Sequence, residues 1–112
     1  MELSKALIVA QPWVGYILDG VKTWEMRSQK TTIRGWIALV EKGSGTVTGV
    51  ARLVDSLEPL SKDEMLDSIG KHQIPVRMIE SGEVDPWRFP WVLADVQRLH
   101  RPVSYRHPPG AL

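Results

Sequence analysis

The sequence predicts an α+β fold, a small mixed and mainly antiparallel β-barrel with helices at its ends. Three observations carry that expectation. Strand-like apolar runs outnumber helical ones, the helical stretches are only a few turns long, and two neighbouring strand runs are joined by the hairpin-like Gly43-Ser44-Gly45. The 112 residues are 43% hydrophobic and 24% charged, the balance of one globular domain spanning residues 1–112. A chain of this length buries roughly two-thirds of its unfolded surface, so a single core can hold it without staples. The absence of Cys removes disulfides, thiolate zinc sites and cysteine nucleophiles.

Taken in order, Leu3 to Gln11 is rich in apolar and β-branched residues and reads as a strand ended by Pro12. Pro12 suits the first turn of a helix, where its missing N–H has no partner to lose. Trp13, Val14, Ile17, Leu18 and Val21 then recur at helical spacing, giving a helix stopped by Gly20 and too short to stand without packing on a sheet. Lys22 to Arg27 reads as extended, with Lys22, Trp24 and Met26 on one face and Thr23, Glu25 and Arg27 on the other. Arg34 to Lys42 and Thr46 to Asp55 form the hairpin; the first run is apolar on both faces and central. The small Gly49 and Ala51 on one face of the second predict a close neighbour there. Ser61 and Glu64 have capping-box spacing, which starts a helix running to about His72 with Met65, Leu66 and Ile69 inward. Pro75 to Pro90 reads as irregular, Trp91 to Leu99 as the last strand, and Pro102 to Leu112 as an extended Pro-rich tail.

Charge is nearly balanced overall, with a formal net +1, but not locally. Lys22, Arg27, Lys30 and Arg34 stand against Glu25 alone; Asp55, Glu58, Asp63, Glu64 and Asp67 outweigh Arg52 and Lys62; and Arg98, Arg101 and Arg106 follow with His100 and His107 beside them. Two basic segments separated by an acidic one make a single positive face if the fold joins them, or two ordinary solvated faces if it does not. No apolar stretch is long enough to cross a bilayer, and the run ending at Ala10 is too short for a signal-peptide core. A cytoplasmic protein with no membrane partner is expected.

The densest chemistry lies in Gly20-Val21-Lys22-Thr23-Trp24-Glu25-Met26-Arg27. As same-face neighbours, Glu25 and Arg27 hold one another and leave guanidinium donors for a phosphate or carbonyl; Lys22 can bind a phosphate or, if desolvated, act as acid or base. A purely structural ion pair is the competing reading. Five Trp against one Phe and two Tyr is unusual, and Trp13 and Trp24 flank this segment, whereas Trp36 and Trp91 lie in strand runs and are expected in the core. His72, His100 and His107 lack metal-ligand spacing, and Ser44 forms no nucleophile triad with them, so neither a metal nor another cofactor is expected.

Gln11-Pro12-Trp13, then Gly20-x-Lys22-Thr23-x-Glu25-x-Arg27, Arg34-Gly35, Trp91-Val92-Leu93 and Pro102-Val103-x-Tyr105-x-His107-Pro108 together resemble the ASCH domain family over nearly the whole chain. The resemblance implies a PUA-like barrel of five or six strands with two or three short helices, and a cleft between the first helix and the sheet lined by the GxKxxExR motif. RNA or a modified nucleoside or nucleotide is the implied ligand. By motif, Lys22, Glu25 and Arg27 inherit the functional positions, with Gln11, Trp13, Thr23 and Trp24 beside them and Tyr105 and His107 as candidate stacking residues from the tail. RNA is commonly held by bases stacked on aromatic rings and phosphates on Lys and Arg, and both ingredients are present. The enzymatic alternative is a hydrolase, either a ribonuclease or a 4-acetylcytidine amidohydrolase, with Lys22 and Glu25 as the catalytic pair. The amidohydrolases carry Thr where this chain has Glu25, a departure from their pattern. Resembling proteins run on into a further strand where this chain ends at Leu112, so an open edge and a monomer or weak homodimer are expected.

Overall fold

The computed structural model describes residues 5–104. In chain order these form β1 (Ala6–Val9), α1 (Trp13–Leu18), β2 (Trp24–Arg27), β3 (Gly35–Glu41), β4 (Thr46–Ser56), α2 (Lys62–Asp67), α3 (Ile69–His72), α4 (Val76–Glu80) and β5 (Phe89–Ser104). The five strands make one sheet in the order β1-β3-β4-β5-β2, with β1 parallel to β3 and every other pair antiparallel. The sheet curls so far that its two outermost strands face each other. Arg27 of β2 donates through Nη2 to the Ile8 carbonyl of β1 at 2.7 Å, so a side chain spans the seam that no backbone ladder closes. The mixed α+β class, the barrel-like curl of the sheet and the strand number follow the expectation; the half-barrel is open between β1 and β2, and the described residues form four short helices where two or three were expected.

Three apolar clusters fill the interior, the smallest of them Ala6, Ala38 and Val40 on β1 and β3. The largest joins Leu7 and Val9, Ile37 and Leu39, Ala51 and Leu53, Trp91 and Leu93 from the sheet to Val14 and Ile17 of α1. Gly49 explains how α1 comes so near: a Cβ there would lie 2.5 Å from Leu18 Cδ2 and 2.7 Å from the Gln97 carbonyl oxygen. The second cluster packs Met26 of β2 against Met65, Ile74, Ile79 and Val84 of the helical segment, with Trp13 and Trp24 at its margin. Trp91 is core, its indole N–H donating to the Gln29 carbonyl at 2.8 Å, while Trp36 is only half-buried.

The expected long helix after Ser61 is present but divided. Its capping box forms, with Glu64 N–H donating to Ser61 Oγ and Ser61 N–H to Glu64 Oε1. At Ser68 the hydroxyl turns back to the Glu64 carbonyl at 2.7 Å, offering the backbone an alternative partner, and the chain restarts as α3. The stretch read as irregular contains α4, because Pro75 starts a helix here: its extended backbone precedes the first turn and its carbonyl accepts from Met78 and Ile79. The last strand also runs beyond Leu99 to Ser104. Its register against β4 jumps from Gly49↔Arg98 to Val47↔Val103, so Pro102 falls in a bulge, where it has no ladder hydrogen bond to break.

The charged segments meet as pairs. Lys30 and Arg34 of the first basic stretch reach Glu58 and Asp55 of the acidic one at 2.6 and 3.7 Å, and Arg98 pairs with Asp19. Exposed pairs of this kind contribute little stability, but they cancel the charge locally and leave no uniform positive face along these side chains. Among the described residues no helix is long and apolar enough to cross a membrane.

Candidate functional site

The motif is one continuous segment, the turn after α1 followed by β2, and it lies beside the seam between β1 and β2. Gly20, at φ +83°, ends α1 in a conformation that suits glycine, and the Val21 and Lys22 amides both return to the Tyr16 carbonyl at 3.1 Å. Lys22 therefore lies in the turn ahead of β2, and strand alternation does not reach it. This corrects the expectation that Lys22 and Glu25 point to opposite faces: Lys22 Nζ stands 3.8 Å from Glu25 Oε1. Glu25 and Arg27, two apart on the strand, share a face as expected, with Arg27 Nε donating to Glu25 Oε2 at 3.0 Å.

Lys22 is the most deeply buried charged side chain of this group, at 2% exposure. It donates to the His72 carbonyl at 2.6 Å and lies 5.3 Å from the centre of the Trp13 ring. Burial lowers its pKa from 10.5 to about 8 against the opposing pull of Glu25, and Arg27 lowers it further. An amine in that range loses its proton within reach of neutral pH, which a solvated lysine does not.

The α3 end holds this lysine in place through three successive residues. The Thr23 amide donates to the Lys71 carbonyl at 2.9 Å, Lys22 Nζ to that of His72, and Gln73 Nε2 to the Val21 carbonyl at 3.0 Å. Gln73 is itself left-handed, at φ 65°. His72, fully buried, uses both ring nitrogens: Nδ1 accepts from the Ile74 amide at 2.9 Å and Nε2 lies 2.7 Å from the Met65 carbonyl. Those partners fix the neutral tautomer with the proton on Nε2. Burial pushes the His72 pKa below its usual value, and the nearby Lys22 charge adds to this against the raising effect of the Met65 carbonyl.

Between the seam and the helical segment opens a cleft of about 340 Å³. Lys22, Glu25 and Arg27 form its polar floor; Trp13, Met26, Ile74, Met78 and Val84 line its apolar sides; Trp87 and Lys42, both exposed, also border it. Arg27 also stacks 5.5 Å from the centre of the Trp91 ring, so its guanidinium is held by Glu25, the Ile8 carbonyl and an aromatic face together.

Of the residues singled out by sequence, the structure brings Lys22, Glu25, Arg27 and Trp13 to the cleft. The other three nearby candidates have different surroundings. Gln11 is exposed, donates to Glu41 Oε1 at 2.6 Å and accepts from the Gly15 amide, tying the start of α1 to the end of β3. Thr23 contributes main-chain bonds to Lys71 and Leu93, and Trp24 packs on the second apolar cluster. Tyr105 and His107 lie outside the described residues. Sequence reasoning missed Lys42, Met78, Val84 and Trp87; the one signal for them was the unassigned fifth tryptophan. Among the described residues no group of three or more His, Asp or Glu side chains is placed to hold a metal ion.

The curled five-stranded sheet, with β1 parallel to β3 and every other pair antiparallel, fits a PUA-like fold. The chain belongs to the ASCH domain family, whose sequence model matches residues 7–103. Among solved structures it is similar to the ASCH protein from Zymomonas mobilis, with a TM-score of 0.70 at 16% identity, covering 89% of this chain and 73% of that one. Two single-residue variants of that protein match at TM-scores of 0.69 and 0.66 and 17% identity; 89% of this chain is covered in each case, with 75% and 73% of theirs. At these identities the likeness concerns the fold. A comparison with curated proteins finds no match.

Proposed function

We propose that the cleft binds an unpaired RNA base or a modified nucleoside. The observation that carries this reading is the cluster of buried Lys22 and Glu25 with half-buried Arg27 at the floor of a cleft bordered by Trp13 and Trp87. Such a floor supplies directional donors and an acceptor in a low-dielectric setting, and indole rings supply the flat surface on which any base stacks. Single-stranded RNA is expected to bind with salt-dependent affinity, and Lys22→Ala to weaken binding by about tenfold or more without cleaving the RNA. Unchanged affinity in that variant, with the fold intact by circular dichroism, would overturn the assignment.

A second reading, hydrolysis, is favoured by one specific feature: a Lys22 pKa of about 8 suits a proton carrier near neutral pH. Lys22 would then deliver or accept the proton, with Glu25 as the neighbouring base. Incubation with 4-acetylcytidine and, separately, with end-labelled RNA tests it. Product that disappears in Lys22→Ala supports turnover; intact substrate at high protein concentration removes the enzyme reading and leaves binding.

A further inference from the structure

How a ligand lies in the cleft follows from where the charges already have partners, if the cleft is the nucleoside or RNA site proposed above. Phosphate is the first ligand that a Lys and an Arg suggest, but here a carboxylate stands between them. Glu25 Oε1 is 3.8 Å from Lys22 Nζ, and Glu25 Oε2 is 3.0 Å from Arg27 Nε. Each cation also donates to a carbonyl, Lys22 to His72 and Arg27 to Ile8. A phosphate brought to this floor would face the Glu25 carboxylate at close range with little water to screen the repulsion.

What the floor does present is a donor beside an acceptor. A Lys22–Glu25 separation of 3.8 Å is longer than a hydrogen-bonded ion pair, and the ammonium has N–H groups beyond the one given to His72. Two adjacent polar atoms of one neutral ligand, an acceptor next to a donor, can each take one of them. The Watson–Crick edge of every nucleobase carries such a pair, and the apolar sides of the cleft fit a flat ring. Trp87, 46% exposed, is available to stack on it. Lys42 borders the same cleft, is exposed, and forms no ion pair among the described residues.

We infer that the cleft takes an unpaired nucleobase edge first, with its Watson–Crick edge on Lys22 and Glu25, its ring against Trp87, and its ribose and phosphate outside beside Lys42. A paired base has no free edge to offer, so this mode of binding requires an unpaired base.

NMR titration of the labelled protein with the four ribonucleosides, following the indole N–H signals, tests this. The tightest binder is then compared with two methylated forms, one carrying the methyl on the Watson–Crick ring nitrogen and one on C5 of a pyrimidine or C8 of a purine. The edge-methylated form is expected to bind at least about tenfold more weakly, and the other within about threefold of the parent. Inorganic phosphate at millimolar concentration is expected not to displace the nucleoside. The 5′-monophosphate is expected to bind about two- to fivefold tighter than its nucleoside, an advantage lost in Lys42→Gln. Equal binding of the edge-methylated form, or displacement by phosphate, overturns the orientation while leaving a nucleoside site. A monophosphate that binds no tighter than its nucleoside overturns the placement beside Lys42. Failure of all four nucleosides and of a mixed-sequence single-stranded RNA to bind removes the site itself.

Discussion

The two sides of the cleft are built on different principles. On the sheet side, Glu25 and Arg27 sit on β2, one strand of a continuous hydrogen-bonded ladder, above a core of Leu, Ile, Val and Trp91. On the helical side, α2, α3 and α4 are four to six residues long, too short to be stable alone, and Met65 stands at the centre of their cluster. Lys22 belongs by sequence to the first side and by contact to the second, since its ammonium bonds to the end of α3. The two linked residues of β2 are positioned by the sheet, whereas Lys22, buried beside Trp13 and Glu25, is also bonded to the end of α3 and so couples the two sides.

The largest test of that difference is pH dependence. With a folded pKa of about 8 and an unfolded value of 10.5, Lys22 is protonated in both states below pH 8, and burying its charge costs about 3 kcal/mol there. Between pH 8 and 10.5 the unfolded chain holds the proton that the folded chain has released, so stability rises with pH across that window. Urea unfolding of the wild type and Lys22→Met at intervals from pH 7 to 10.5 should show the wild type gaining up to about 3 kcal/mol relative to the variant. A constant difference between the two would mean that water reaches Lys22 in solution. His72 acts on the acid side: with its pKa lowered, the unfolded chain takes up the proton first, so stability falls as pH drops below 6.5, and His72→Asn should remove that dependence.

A smaller effect separates the two sides by sign. Gly49→Ala on the sheet side would put a Cβ 2.7 Å from the Gln97 carbonyl oxygen, which cannot move without the ladder, and should cost about 1–3 kcal/mol. Gly70→Ala, inside α3, meets nothing within 4 Å and should stabilise by about 0.5–1 kcal/mol. Thermal unfolding of both variants checks the contrast. Equal destabilisation would place a tight environment around α3.

Much of the fold could be read from the sequence because its signals are local. The Ser61–Glu64 capping box, the Gly43-Ser44-Gly45 turn and the β2 spacing that joins Glu25 to Arg27 each depend on residues a few positions apart. What could not be read depends on contacts across the chain. Lys22 meets Glu25 because the turn after Gly20 redirects the chain, and it meets His72 fifty positions away. Pro75 looks like a breaker until its carbonyl is seen to start α4, and only α4 and the loop after it bring Met78, Val84 and Trp87 to the cleft. The same local reasoning that assigned β2 overextended it by two residues, and so separated the pair that the structure joins.

The join between the two sides can be weakened at one residue. Gln73 donates to the Val21 and Gly70 carbonyls from a left-handed backbone, tying the turn before Lys22 to the end of α3. Gln73→Ala removes both bonds and keeps the unfavourable φ, so it should lower stability by about 1–2 kcal/mol. Gln73→Gly loses the same bonds but relieves the backbone, and should cost less. If the α3 end keeps water from Lys22, both variants should also move the Lys22 titration upward from about 8 towards 10.5, as read from its Nζ signals by NMR. The Gly variant is the sharper probe, because it loosens the turn with the smaller loss of stability. An unshifted Lys22 in both variants would assign its burial to Trp13 and the sheet, and the division between a sheet-held Glu25–Arg27 pair and a helix-held lysine would fall.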